Sequence, residues 1–469
     1  MLCERDDPII AIATPPGRGA VGVVRISAKY LSAFAQALVK RQLQPRRAHF
    51  VAIHDAQGNT IDQVLAVFFP APHSYTGEDV LELQGHGGTV VLNMLLSHCL
   101  FLAQDIKVDR PALLSHLRMA RPGEFTERAF LNGKLDLAQA EAVADLIDAQ
   151  TQAAVRSAGR SLQGAFSRSV DELAQALVHV RMQIEACLDF PDEDLDFIGQ
   201  LQILQQIQLL QDKLKALLAQ AQQGRLLRDG LKMVIAGQPN AGKSSLLNAL
   251  AGAEIAIVTP VAGTTRDVLM QSIQIEGVPI HVLDTAGLRD EAQADEIERI
   301  GITRAWSHIE QADLVVLLDD LSRQQDPHYI QAQQRLQEKI ERICMSSQPI
   351  LTVHNKLDMV HSFNQPGVCI SAKTGEGMDL LRQRILSLVG WQVGLNEGVF
   401  TARTRHVQAL GQTMQHVNQS LLLLSQPAPA LDILAEEFRL AHQALSTLTG
   451  KFTPDDLLGE IFSRFCIGK

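Results

Sequence analysis

The chain has 469 residues, 46% of them apolar and 20% charged, a soluble globular composition that at this length exceeds one hydrophobic core and predicts about two to four domains. No stretch approaches about 18 uninterrupted apolar residues, and Glu4, Arg5, Asp6 and Asp7 leave no room for a secretory apolar segment, so a membrane span is excluded and a cytoplasmic location expected. The net charge of −10 does not announce a nucleic-acid binder, and the six cysteines show no C-x-x-C pairing of the zinc type.

Residues 1–134 alternate strand-like runs (Ile9 to Ala13, Val21 to Ile26, Val64 to Phe69, Val80 to Leu83) with helical stretches (Leu31 to Leu43, Val90 to Leu102), which predicts a separate α/β domain. Over residues 135–225 the pattern becomes long 3.6-period segments rich in Ala, Leu and Gln, a helical bundle. Gln200 to Gln223 keeps leucines at helical spacing and reads as an amphipathic helix rather than disorder. Gly224 to Gly230 reads as a short linker into a third region, 226–391, whose last helix ends near Gly390-Trp391. Residues 392–469 are helical again, with segments Thr404 to Leu424 and Ala430 to Thr449. Neither helical flank is large enough to bury both faces of its helices, so the expected fold class is multidomain α/β plus all-α, with region 226–391 inserted into one helical domain. Weakly basic spots at Arg46-Arg47, Arg156 with Arg160, and Arg403 with Arg405 are the candidates for any local RNA contact.

The chemistry is concentrated in region 226–391. Gly237-Gln238-Pro239-Asn240-Ala241-Gly242-Lys243-Ser244-Ser245 sits between a strand-like run, Lys232 to Ala236, and the helix start Leu246 to Leu250. This is a P-loop pattern: backbone N–H groups wrap phosphates at a helix N-terminus, Lys243 reaches the β- and γ-phosphates, and Ser244 ligates Mg²⁺. Thr264-Thr265-Arg266 lies in a loop where Thr265 can complete the Mg²⁺ shell when a γ-phosphate is present. Asp284-Thr285-Ala286-Gly287 follows the apolar run Ile280 to Leu283, with Asp284 facing Mg²⁺ through water and the Gly287 amide near the γ-phosphate. Asn355-Lys356-Leu357-Asp358 follows Ile350 to Val353, and the Asp358 carboxylate can accept from guanine N1–H and N2–H₂, a pairing that adenine would leave unmade. Ser371-Ala372-Lys373 follows Val368 to Ile370 and can read guanine O6 with its backbone. Five such elements in order point to GTP and a Ras-like nucleotide domain.

Leu288 follows Gly287, where many signalling GTPases have a water-orienting glutamine, so hydrolysis must be organised differently. Asn240 offers a side-chain oxygen to a monovalent cation beside the phosphates, and the loop Val258 to Gly263, including Thr259, Pro260, Val261 and Ala262, can close over that cation. Asp290-Glu291 to Arg299 supplies carboxylates for positioning water.

Taken with the P-loop containing Pro239-Asn240, four further segments closely resemble the MnmE/TrmE family of tRNA-modification GTPases across essentially the whole chain. These are Thr14-Pro15-Pro16-Gly17-Arg18-Gly19, Glu82-Leu83-Gln84-Gly85-His86-Gly87-Gly88, Arg121-Pro122-Gly123-Glu124-Phe125, and the ending Phe465-Cys466-Ile467-Gly468-Lys469. The resemblance implies an N-terminal domain over 1–134 that dimerises and binds 5-formyl- or methylene-tetrahydrofolate. It further implies a helical domain in two parts, 135–225 and 392–469, around a K⁺-activated G domain over 226–391, and a homodimer. The implied partner is a FAD-containing protein of the MnmG/GidA type, in a heterotetramer or larger complex that modifies C5 of the wobble uridine, position 34, of certain tRNAs to carboxymethylaminomethyl or aminomethyl forms.

By motif, the resemblance assigns Arg25, Glu82, Lys134 and Lys469 to folate, and Asn240 with Thr259, Val261 and Thr264 to K⁺. Glu298 becomes the acid that orients water, with Glu296 as the alternative because this segment is slightly longer than in the family, and Arg289 helps place the loop. Cys466 acquires a functional role, as nucleophile or positioning group. Residues 103–116 are also longer than the family pattern, at the rim of the folate pocket or as a surface loop. A ribosome- or RNA-assembly GTPase switch without covalent tRNA modification is the rival reading.

Overall fold

The computed structural model describes residues 6–104, 113–189, 197–252, 270–283, 305–344, 348–360, 367–391, 398–426, 429–450, 455–463 and 465–468. It divides into two compact units, one of Met1–Ala144 with Ser446–Lys469 and the other of Asp145–Leu445.

The first unit is organised by a six-stranded sheet. Its strands are β1 (Ile9–Ile12), β2 (Gly19–Ala28), β3 (Ala48–His54), β4 (Thr60–Phe69), β5 (Asp79–Gly87) and β6 (Arg118–Met119), in the order β3-β4-β5-β2-β1-β6. The pairings are antiparallel except β1 with β6. Antiparallel strands with one face on a core show period-two burial, and β4 shows it: Asp62, Val64 and Ala66 are buried while Gln63 and Leu65 are exposed. Helices Ser32–Val39 and Thr89–Ala103 cover the apolar face, packing Phe34, Leu38, Leu92 and Leu95 with Val24, Ile26, Leu81 and Leu83. The first of these helices was expected to run to Leu43 but stops at Val39, because Lys40 takes a left-handed conformation at φ 54°. The tail helix Asp455–Ser463 belongs to this unit, where Leu458, Ile461, Phe462 and Phe465 pack against Leu137 and Ala140.

The second unit holds a sheet of β7 (Leu231–Gly237), β8 (Met270–Ile275), β9 (Val278–Leu283), β10 (Leu314–Asp320), β11 (Ile350–Asn355) and β12 (Val368–Cys369), ordered β12-β11-β10-β7-β9-β8. It is parallel apart from the β8–β9 hairpin. Every residue of β10 is buried, as a parallel strand covered on both faces requires. Its side chains divide between two cores by alternation: Leu314, Val316 and Leu318 in one, Val315 and Leu317 in the other.

The helices Gln152–Leu162, Ala165–Asp189, Phe197–Asp229, Thr404–Leu424 and Leu431–Ser446 complete this unit. Phe166, Phe400 and His406 stack in their interior, Phe166 at 4.7 Å from the Phe400 ring and 5.0 Å from that of His406. Asp145 accepts from Arg228 at 2.7 Å and Arg403 at 2.8 Å, which accounts for both of these arginines structurally. The expected linker at Gly224 to Gly230 is not a linker. The helix Phe197–Asp229 runs through Gly224 and turns only at Gly230, φ 70°. The glycine serves close approach: a Cβ at Gly224 would strike the Phe400 carbonyl oxygen.

Candidate functional site

In the second unit the phosphate loop leaves the C-terminal end of β7, between β10 on one side and β9 on the other. This is the switch point of an open α/β sheet, where such folds bind ligands. Asn240 turns the loop at φ 64°, and Gly242 at φ 98° begins the helix Lys243–Ala251 with no side-chain cap. Gly242 has no side chain to cap the first turn of that helix, and a helix N-terminus of this kind binds anions. Gly242 cannot be replaced without strain, since its φ is left-handed and a Cβ would strike the Asn355 amide nitrogen. Lys243 Nζ donates to the carbonyls of Gly237 at 2.9 Å and Gln238 at 3.2 Å, so the ammonium is already held over the loop.

Asn355 at the end of β11 reaches this loop, and Lys356, Asp358, Ser371 and Ala372 come from the turns that follow β11 and β12. Asn355 Nδ2 donates to the Ala241 carbonyl at 2.9 Å, and its Oδ1 accepts from the Ala372 amide at 3.1 Å. One buried side chain thus joins all three segments. Ser371 Oγ donates to Asp358 Oδ1 at 2.7 Å and accepts from Thr374 N at 3.1 Å, which leaves the second Asp358 oxygen for another donor. Lys373 is exposed at the rim. Thr259 to Thr265, Asp284 to Gly287, Arg289, Glu296 and Glu298 lie outside the described residues.

Sequence reasoning missed the residues behind the base-side segment: Asp319, Asp320 and Tyr329. The signal was present in the apolar run Leu314 to Leu318 ending in two aspartates. Asp319 accepts from Tyr329 Oη at 3.1 Å and Gln324 Nε2 at 2.9 Å and pairs with His354 Nδ1 at 2.9 Å. Burial opposes ionisation of Asp319, but these partners outweigh it and hold its pKa below the usual carboxylate range. Burial also pushes the Tyr329 hydroxyl well above its ordinary pKa, which keeps it a donor.

In the first unit, Arg25 on β2 stands opposite Glu82 on β5 and donates to Glu82 Oε1 at 2.9 Å and to the Gly468 carbonyl at 3.1 Å. Its guanidinium lies 5.6 Å from the ring centres of both Tyr75 and Phe125, within cation–π range. Lys134 is exposed and donates to the Pro72 carbonyl at 3.1 Å, at the start of the loop that carries Tyr75. Cys466 is exposed, and its carbonyl accepts from the Gly123 amide at 3.3 Å, which brings the tail beside Arg121-Pro122-Gly123. Lys469 lies outside the described residues. Beneath this region, buried Glu124 accepts from Arg118 at 2.7 and 2.9 Å, the Arg121 amide at 2.8 Å and Arg128 at 3.2 Å. Burial would raise its pKa, but those donors hold it at about 2.

Fold and loop together define a P-loop nucleotide-binding protein of the Ras-like GTPase class, carried in one chain with a sheet domain and a set of helices. Two families match in sequence: the N-terminal region of the GTP-binding protein TrmE over residues 8–134 and the MnmE helical domain over 137–466. Proteins called tRNA modification GTPase MnmE from Methylibium petroleiphilum and an Acidovorax species are 56% and 55% identical, each over 100% of both chains. Among solved structures, the G domain of the T. maritima FeoB iron transporter aligns at 25% identity over 34% of this chain and 98% of that one, with a TM-score of 0.26, too low to define a fold by itself. The chain belongs to the MnmE/TrmE family. No helix among the described residues is long and apolar enough to cross a membrane.

Proposed function

We propose that this chain is a GTP hydrolase acting in tRNA modification, the activity for which its relatives are named. The observation that carries the reading is the joint at Asn355, which ties the phosphate loop to both base-side loops through Ala241 and Ala372. Such a joint makes phosphate and base recognition one rigid act. Asp358 is aimed by Ser371 to accept from the guanine edge, with Lys356, Ala372 and Lys373 around the base. Ala241 to Ser245 cradle the phosphates with their amides, Lys243 neutralises the β- and γ-oxygens, and Gly263, Thr285, Ala286 and Gly287 would contribute to binding the γ-phosphate end.

The uncapped helix start at Lys243 fits phosphate with its metal. Ser244 and Thr265 would hold Mg²⁺, with Asp284 behind water, and Asn240 with Thr259, Val261 and Thr264 would hold K⁺. When bound, the two cations would supply fixed positive charge against the charge that develops in the transition state. Glu298, or Glu296 in the alternative register, orients the attacking water, and Arg289 steadies that loop.

The first unit takes the tetrahydrofolate one-carbon donor. Arg25 between two aromatic rings fits a flat heterocycle or a carboxylate tail, Glu82 suits the N–H edge of a pterin, and Lys134 and Lys469 suit carboxylates. Cys466, exposed at the same end as Gly468, serves the modification chemistry as nucleophile or positioning group. The working assembly is a cytoplasmic homodimer with a FAD-containing MnmG/GidA-type partner and tRNA. Domain limits of 1–134, 135–225, 226–391 and 392–469 describe its functional parts.

GTP turnover in matched KCl and NaCl, for the parent chain and Asn240→Ala, tests the cation claim. A large K⁺-specific acceleration lost in the variant is expected, and equal rates in both salts refute it. Deleting residues 466–469 separates the rival assembly-switch reading. Loss of tRNA modification with GTP turnover retained supports the modification enzyme, whereas unchanged modification removes the tail from the chemistry.

A further inference from the structure

The residues on either side of Asn355 are held from the neighbouring strand by two consecutive carboxylates. β10 and β11 run in parallel register, with Asp319 beside His354 and Asp320 beside Asn355. Asp319 Oδ2 meets His354 Nδ1 at 2.9 Å, and Asp320 Oδ2 accepts from Lys356 Nζ at 2.5 Å. Asn355, between these anchored neighbours, reaches the opposite way to Ala241 and Ala372.

Asp320 is fully buried, at 0% exposure, whereas Lys356 keeps 29% of its side chain in solvent. Its other oxygen accepts from Ser322 N at 3.0 Å and Ser322 Oγ at 2.6 Å, and its own amide donates to Tyr329 Oη at 2.7 Å. One oxygen of the carboxylate is thus fixed by Ser322, which leaves the other facing Lys356. A buried ion pair is a poor way to gain stability, because desolvation cancels most of the attraction, but it is an effective way to specify one geometry. The geometry specified here is unusual: Lys356 is a non-glycine residue with φ 67°, in the left-handed region that turns β11 into the short helix Leu357–Met359 carrying Asp358.

We propose that Asp320 is a positioning residue for guanine recognition, holding Lys356 in its left-handed turn so that Asn355 and Asp358 face the base together. The inference rests on reading Asn355 to Asp358 as the base site. Asp319 anchors the same segment one residue earlier through His354, and Tyr329 ties the Asp319 carboxylate and the Asp320 amide to the helix Pro327–Ile343.

The test is the affinity and dissociation rate of a fluorescent GDP analogue, with GTP steady-state kinetics, on full-length Asp320→Asn. This substitution keeps the shape and an acceptor for Ser322 while removing the charge facing Lys356. Expected are about tenfold weaker GDP binding, faster release, and a raised KM with kcat within about twofold, the size of coupling between contacting groups. In a double-mutant cycle with Lys356→Met, the double variant should bind no more weakly than Lys356→Met alone. Parent-like GDP affinity in Asp320→Asn overturns the proposal, and so do losses that multiply in the double variant, because Asp320 would then act by a route other than Lys356. If Asp320→Asn does not fold, Lys356→Gln from the solvent side carries the same expectation, and parent-like affinity there is equally fatal. Asp358→Asn tests the underlying reading separately. A switch of preference from GDP to xanthosine diphosphate supports the base site, and an unchanged preference removes it whatever Asp320 does.

Discussion

The phosphate loop of the second unit and the Arg25 cluster of the first both gather polar groups, yet they are made in opposite ways. The loop is nine consecutive residues whose work is done largely by backbone, with two left-handed turns and the uncapped start of a helix. The Arg25 cluster draws Arg25, Tyr75, Glu82, Phe125 and Gly468 from distant stretches, and its work is done by side chains. A site of the first kind is written as a local pattern. One of the second kind exists only once the sheet is folded and the tail has returned to it.

The contrast is sharpest where each site is broken. The first unit should be the more sensitive to loss of a single buried charge. Glu124→Gln, which strips Arg118 and Arg128 of a buried carboxylate, should lower the stability of that unit by about 3–5 kcal/mol in chemical denaturation. The pH dependence has a definite sign. The folded-state pKa of Glu124, about 2, lies below the ordinary 4.5, so its stabilisation is complete above about 4.5 and is lost as pH falls toward 2. Parent and variant should converge in stability over that window, and a gap that stays constant to pH 2 would remove the argument.

In the second unit Lys243→Ala should lower GTP turnover by about 10²–10³-fold with little change in melting temperature, since the side chain serves the loop rather than the core. Comparable loss of fold and turnover would show the lysine to be structural. Arg25→Met should weaken tetrahydrofolate binding by about 1.5–3 kcal/mol per charge-assisted bond lost, read by calorimetry, while GTP turnover stays at the parental rate. The smallest effects come from two helical glycines in the same unit. Gly224→Ala should destabilise by about 1–3 kcal/mol because its Cβ meets the Phe400 carbonyl. Gly159→Ala, with nothing within 4 Å of the added carbon, should stabilise by about 0.5–1 kcal/mol. Equal shifts in the denaturation midpoint would deny Gly224 its packing role.

Elements whose pattern is local and long were legible. The helix Thr404–Leu424 occurs with the bounds its 3.6-residue spacing predicted, and the phosphate loop sits between strand and helix as its glycines required. Gly224 to Gly230 misled because a glycine near a composition change reads as a break, whereas this one is an interior helix residue kept small by the chain at Phe400. Asp319 and Asp320 were passed over because acids ending an apolar run look like solvated turn residues until β11 is laid beside them.

The sequence by itself determined the nucleotide chemistry, since phosphate and guanine recognition depend on backbone conformations and single side chains that a few consecutive residues dictate. It also determined the family, through short motifs spread from Thr14 to Cys466. Only the tertiary structure decided which charges meet: Arg25 with Glu82 and Gly468, Asp145 with Arg228 and Arg403, and Asp320 with Lys356. The physical reason is that an ion pair across strands or helices depends on register and packing, which no local spacing encodes.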